Sequence, residues 1–131
     1  MVVIAIIGIL SSVVLASLNT ARGKGNDAKV KAQLSGIRAA AEVYYDTNGH
    51  YGTEVSDLCS AAFFADSDSG MLSYSTQANY PLGATLSCHT DGTAYAVSAL
   101  LLSTTTAWCV DSTGASKSIP ANLIAGEVEC P

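Results

Sequence analysis

The chain has 131 residues, 49% of them apolar, and a net charge of −5 at pH 7. That length allows one small domain with a short appendage and excludes a second domain. The charge is unevenly divided: residues 1–41 carry Arg22, Lys24, Lys29, Lys31 and Arg38 against Asp27 (+4), and the remainder carries Lys117 against ten carboxylates (−9). The larger part therefore lacks the clustered cations that binding to nucleic-acid phosphates requires.

The apolar excess sits at the start. Val2, Val3, Ile4, Ile6, Ile7, Ile9, Leu10, Val13, Val14, Leu15 and Leu18 make residues 1–18 apolar all round, and the first charge is Arg22. A run of that length without proline predicts a helix that spans most of a bilayer's hydrocarbon core. Beyond it, Val30, Leu34, Ile37, Ala41 and Tyr44 recur at helical spacing between charged residues, which predicts an amphipathic continuation. One helix over residues 1–45 would extend roughly 65–70 Å. Only its second half is needed to support the remaining residues, so the first half must be covered elsewhere. Gly8, with Ser11 and Ser12 after it, is the expected place for bending or unwinding, because glycine weakens a helix interior. It also lets neighbouring helices approach closely.

Met1-Val-Val-Ile-Ala-Ile-Ile-Gly-Ile-Leu10, followed by residues 19–28 and Tyr44-Tyr45, resembles the N-terminal helix of type IV pilins and secretion pseudopilins. The likeness covers about the first third of the chain. In that family the mature chain opens with a methylated phenylalanine and Thr-Leu-Ile-Glu, so a processing glycine, the phenylalanine and the glutamate are expected upstream of Met1. The resemblance implies a filament subunit. Residues 1–21, with Val2, Val3, Ile4, Ile6, Ile7, Gly8, Ile9, Leu10, Val13, Val14, Leu15 and Leu18, would anchor the chain in the inner membrane before assembly and form the filament core afterwards. Residues 22–131 would be the head. A leader peptidase, an assembly ATPase and a platform protein are the implied machinery, and an extracellular pilus at the cell surface is the implied destination. A pseudopilin of a type II secretion-like system and a single-span anchored binding module are the competing readings.

Lys24, Lys31 and Arg38 fall seven residues apart and form one stripe. It is either a solvated face or a surface that meets the acidic head of a neighbour. Asn48-Gly49 signals the helix end. Residues 50–80 read as loop-rich with one short helix over Leu58, Cys59, Ala62 and Phe63, capped by Ser56 or Asp57 and broken by residues 66–70. That last tract resembles the first ligands of a calcium loop but lacks the closing glutamate.

A hairpin is expected over residues 84–102 about Asp91-Gly92, as a two-residue type I′ turn, with Tyr95, Val97, Ala99 and Leu101 laid on the helix. A strand over residues 105–111 follows, with Ala107 and Cys109 directed inward and Trp108 outward. Asp111 to Gly114 turns the chain into a short strand at residues 115–118, and an irregular tail begins at Pro120. The fold class is α+β: a long helix on an antiparallel sheet of three to four strands.

Cys59, Cys88, Cys109 and Cys130 have no C-x-x-C spacing, so two disulfides formed in an oxidising compartment are expected rather than a zinc site. Three connectivities are open. Cys59–Cys88 and Cys109–Cys130 are favoured because they close successive loops of moderate size. Applied to Arg22 and Lys24, the positive-inside rule would place the head in the cytoplasm; the cysteines argue for the opposite side. His50 and His89 stand in no visible Ser–His–Asp or Cys–His pattern, and no phosphate loop or nucleophile elbow is present. No catalytic, cofactor or metal site is read, and the expected role is structural.

Overall fold

The computed structural model describes residues 1–56, 59–60 and 63–131. Helix α1 runs from Val2 to Asn48 without interruption, about 70 Å at 1.5 Å per residue. The expected unwinding near Gly8 does not occur in the subunit: every residue from 2 to 48 is helical. Gly49 ends the helix in the left-handed conformation (φ 76°), where its N–H donates to the Tyr45 carbonyl at 2.7 Å. A side chain at that φ would be strained, which is why glycine makes this stop.

The sheet has five strands in sequential antiparallel order: β1 Val55–Ser56, β2 Leu86–Thr90, β3 Tyr95–Leu100, β4 Ala107–Asp111 and β5 Ser116–Ile119. The meander β2–β5 is the expected sheet, and β1 adds a two-residue edge. Between β1 and β2 lie the short helix α2 Met71–Ser75 and a 3-10 turn Gln77–Asn79. Asp57, Leu58 and Ala62 of the expected short helix lie outside the described residues, while Cys59 and Phe63 lie in turns. The acidic tract at 66–70 starts α2 instead of only ending an element. The Ser69 N–H donates to Asp66 Oδ2 (2.8 Å) and the Leu72 N–H to the Asp66 carbonyl (3.0 Å).

The β2–β3 connection is a four-residue loop, not a two-residue turn, since Thr90 pairs with Tyr95. Asp91 closes it: its Oδ1 accepts from the N–H groups of Thr93 and Ala94, both at 2.8 Å. The aspartate of the Asp-Gly pair thus caps a longer loop, which the dipeptide alone does not distinguish from a tight turn.

One face of α1 packs on the sheet through Val30, Leu34, Ile37, Ala40 and Ala41, all buried. Tyr95, Val97 and Ala99 of β3, with Leu101 beyond its end, meet that face in one core. Rings fill the far end, with Tyr51–Tyr95 at 4.9 Å and Tyr44–Phe63 at 5.0 Å between centroids. Gly36 lies under Tyr74, and a methyl group there would collide with that ring.

The facing of β4 is the reverse of the one expected. Ala99 pairs with Trp108 and Val97 with Val110, and paired residues share a face. Trp108 and Val110 therefore face α1, while Ala107 and Cys109 face away. The away side is no water-facing surface. Ile119 and Leu123 pack there with Ala96, Ala107 and Cys109 as a second core, and the tail is fixed over it. Asn122 donates to the Thr85 carbonyl at 2.9 Å and accepts from Ser98 Oγ at 2.9 Å. With both faces of β4 covered, apolar alternation carries no direction.

Candidate functional site: the bare half of α1 and its neck

Residues 2–26 are exposed along their whole length, apart from the half-exposed Gly23. The large apolar side chains of this segment expose from 47% (Leu18) to 75% (Ile4) of their surface. An 18-residue window of α1 has a mean hydropathy of 2.4 with none of it buried, so the helix is long and apolar enough to cross a membrane by length and composition. Contiguous apolar surface of that extent marks an interaction site. All of the residues read from sequence as a filament core (Val2, Val3, Ile4, Ile6, Ile7, Gly8, Ile9, Leu10, Val13, Val14, Leu15 and Leu18) lie on this segment.

Asp27, which the sequence reading counted only as a charge, is where the bare half becomes the packed half. It is the first buried residue of α1, 7% exposed. Its Oδ1 accepts from the Leu102 N–H at 2.7 Å and the Ser103 N–H at 3.3 Å, and its Oδ2 accepts from the Ser103 hydroxyl. Burial opposes its ionisation. The three donors outweigh that, with help from the Lys31 charge, and hold the carboxyl below the usual aspartate range. The carboxylate clasps loop 101–106 to the helix. The sequence signal was faint: a lone acid among five bases, one turn before an apolar stripe.

The basic stripe is divided. Lys31 places its Nζ 4.5 Å from the centre of the Trp108 ring, a cation–π contact. Arg38 donates to the Ala115 carbonyl at 2.8 Å. These two cations dock on their own sheet at β4 and the β4–β5 turn; Lys24, one heptad earlier, remains exposed.

At the opposite side of the sheet Asp111 is the second hub. Its Oδ1 accepts from the N–H groups of Thr113 (2.9 Å) and Ala115 (3.1 Å), and its Oδ2 from that of Cys130 (2.7 Å). Burial pushes against ionisation here too, and the Cys130 N–H leads the donors that pull the carboxyl below its ordinary value. The cysteines pair as Cys59–Cys88 and Cys109–Cys130, the connectivity favoured from loop size.

His50 accepts at Nδ1 from the Gly52 N–H (2.9 Å). His89 lies beside Ser87, with 2.8 Å between Nε2 and Oγ, a pairing the sequence reading did not foresee. Ser87 and His89 are buried, and Ser87 also donates to the Leu123 carbonyl, so the pair serves to seat the tail. Among the described residues no group of three or more His, Cys, Asp or Glu is placed to hold a metal ion.

Comparison of the chain with known families, curated proteins and solved structures finds no match. What stands is an architecture: a long helix with an apolar, uncovered first half, packed by its second half on a small disulfide-bonded antiparallel sheet, an arrangement compatible with a pilin-like fold.

Proposed function

We propose that this chain is the structural subunit of an extracellular type IV pilus-like filament, assembled through residues 1–21. The observation that carries the reading is the contrast within α1. Its second half is committed to the head, while its first half presents apolar side chains on every side and has no partner in the subunit. A helix that is apolar all round requires a non-aqueous surrounding on all sides. A bilayer supplies that before assembly, and a bundle of the same segment from many copies supplies it afterwards. Each transfer keeps the surface from water, at roughly 25 cal/mol per Å² covered. Two disulfides in an acidic head suit an oxidising exterior.

Electron microscopy of material sheared from cells producing the chain, with mass spectrometry of the main band, tests the proposal. Fibres built mainly of this chain are the expected result. A chain that stays membrane-bound and monomeric in detergent would instead favour an anchored binding module and end the filament reading.

A further inference from the structure

The two ends of the head differ in chemistry, and the neck end is built to touch something. Loops 81–85 and 101–106 lie at this end. Leu102 and Ser103 are tied to Asp27, and Gly83 abuts Leu102. Leu82 stands on this side with 99% of its surface exposed, and Leu102 is half-exposed beside it. Arg22 and Lys24 emerge on different sides of the helix, with Lys29 two turns beyond Arg22 on the same side, all exposed. Asp27, the one carboxylate here among the described residues, is turned inward to its three donors.

The acids gather at the other end. Asp46 is in the last turn of α1, Asp66 and Asp68 line a cleft with Thr47 and Asn48, and Glu54 and Asp91 line another beside the tail. The hairpin loop that carries Asp91 reaches the end of α1, because the Tyr51 N–H donates to the Gly92 carbonyl at 2.8 Å. The head is therefore an electrical dipole whose positive pole surrounds the exit of the apolar helix.

From this we infer that the neck face is a membrane-docking surface: Leu82 and Leu102 enter the interfacial layer, and Arg22 and Lys24 hold the phosphates of anionic phospholipids. The inference rests on residues 1–21 serving as a membrane anchor and adds what the head does there. Helix geometry leaves little choice. Residues 2–21 span about 30 Å, the hydrocarbon thickness, and the headgroup layer beyond is about 5–8 Å deep. Gly23 lies only two residues past Ala21 and already touches loop 101–106, since a methyl group there would sit 3.5 Å from Ser103 Cβ. No linker lifts the head away. With the apolar run in hydrocarbon, the neck face lies in the headgroups, and its exposed leucine and basic side chains match that layer.

The test uses the full chain with Leu82→Trp in a Trp108→Phe background, so that the only indole reports on position 82. It is reconstituted in phosphatidylcholine vesicles with or without phosphatidylglycerol, using lipids brominated close to the headgroup. Blue-shifted emission and strong bromine quenching in the anionic vesicles are expected. Arg22→Gln and Lys24→Gln should each lower the seated-to-lifted ratio about five-fold, the equivalent of about 1 kcal/mol per basic residue at an anionic surface. Hydrogen exchange of the unsubstituted chain is an independent readout, in which the amides of residues 82–83 and 103–105 should slow in anionic vesicles relative to neutral micelles. A chain that resists urea extraction but shows neither quenching nor slowed exchange overturns the docking surface and leaves the anchor intact. A signal that vanishes on dilution of the chain in lipid makes a second copy the occupant and also overturns it. Extraction by urea overturns the anchor and the docking surface together.

Discussion

Asp27 accepts from two backbone N–H groups and a serine hydroxyl, so one side chain closes the loop that abuts the emerging helix. Hydrogen bonds to a charged group contribute about 1.5–3 kcal/mol each, and removing the acceptor strands buried donors. Asp27→Ala should therefore destabilise the head by about 2–3 kcal/mol, read as a lowered urea midpoint at neutral pH. Asp27 and Asp111, the buried pair among the lowered carboxyls, also contribute to the acid limit. Both carboxyls sit below their ordinary value when folded, so the unfolded chain binds more protons as pH falls. Their contribution is fully present above the unfolded aspartate value of about 3.9. It is lost as the pH falls through the lower folded values. Urea titrations below pH 4 should show this loss, and Asp27→Asn should flatten part of the slope. An unchanged slope would mean that Asp27 titrates alike in both states.

At the scale of elements, α1 and the sheet are joined by close approach and by a tied tail. The Tyr74 ring lies over Gly36, so Gly36→Val forces α2 off the helix. Overpacking of this kind costs about 1–3 kcal/mol, and thermal unfolding should register the loss. Gly25 has nothing nearby, and Gly25→Ala should leave the transition unchanged or raise it slightly. The tail is held differently. Replacing Cys109 and Cys130 together by Ser should cost about 3 kcal/mol in the chain-entropy model. It should also speed hydrogen exchange in β5 and residues 120–130 before it affects α1. Uniform acceleration over the whole head would show that the second core is not a separate cooperative layer.

What could be read from the residues followed what each face must meet. The helix and its buried stripe were plain because one side faces the sheet and the other faces water, so Val30, Leu34, Ile37 and Ala41 stand out at helical spacing. The stop at Asn48-Gly49 was plain because glycine alone takes that backbone without strain. Strand β4 was misread because the tail covers its outer face, leaving Trp108 and Cys109 equally apolar in appearance. Lys31 and Arg38 read equally as a solvated face or as a contact with a neighbour's acidic head, since nothing local in their sequence announces Trp108 or the Ala115 carbonyl. Asp27 was missed for the same reason: its partners are about 75 residues away. Long-range pairings of single polar atoms leave no periodic trace.

The continuity of α1 through the neck has a mechanical consequence for the whole molecule. A hinge there would let a pull on the bare half peel the packed half from the sheet, one contact after another. With an unbroken helix and Asp27 clasped to loop 101–106, the same pull acts along the helix axis and slides Val30, Leu34, Ile37 and Ala41 past the sheet together. All of these contacts then bear load in shear and yield together. The same two disulfides that staple strands β2 and β4 to their loops keep the surface they slide on from fraying. A subunit pulled by its helix behaves as a peg set in a block, with stiffness set by the packed length of the helix.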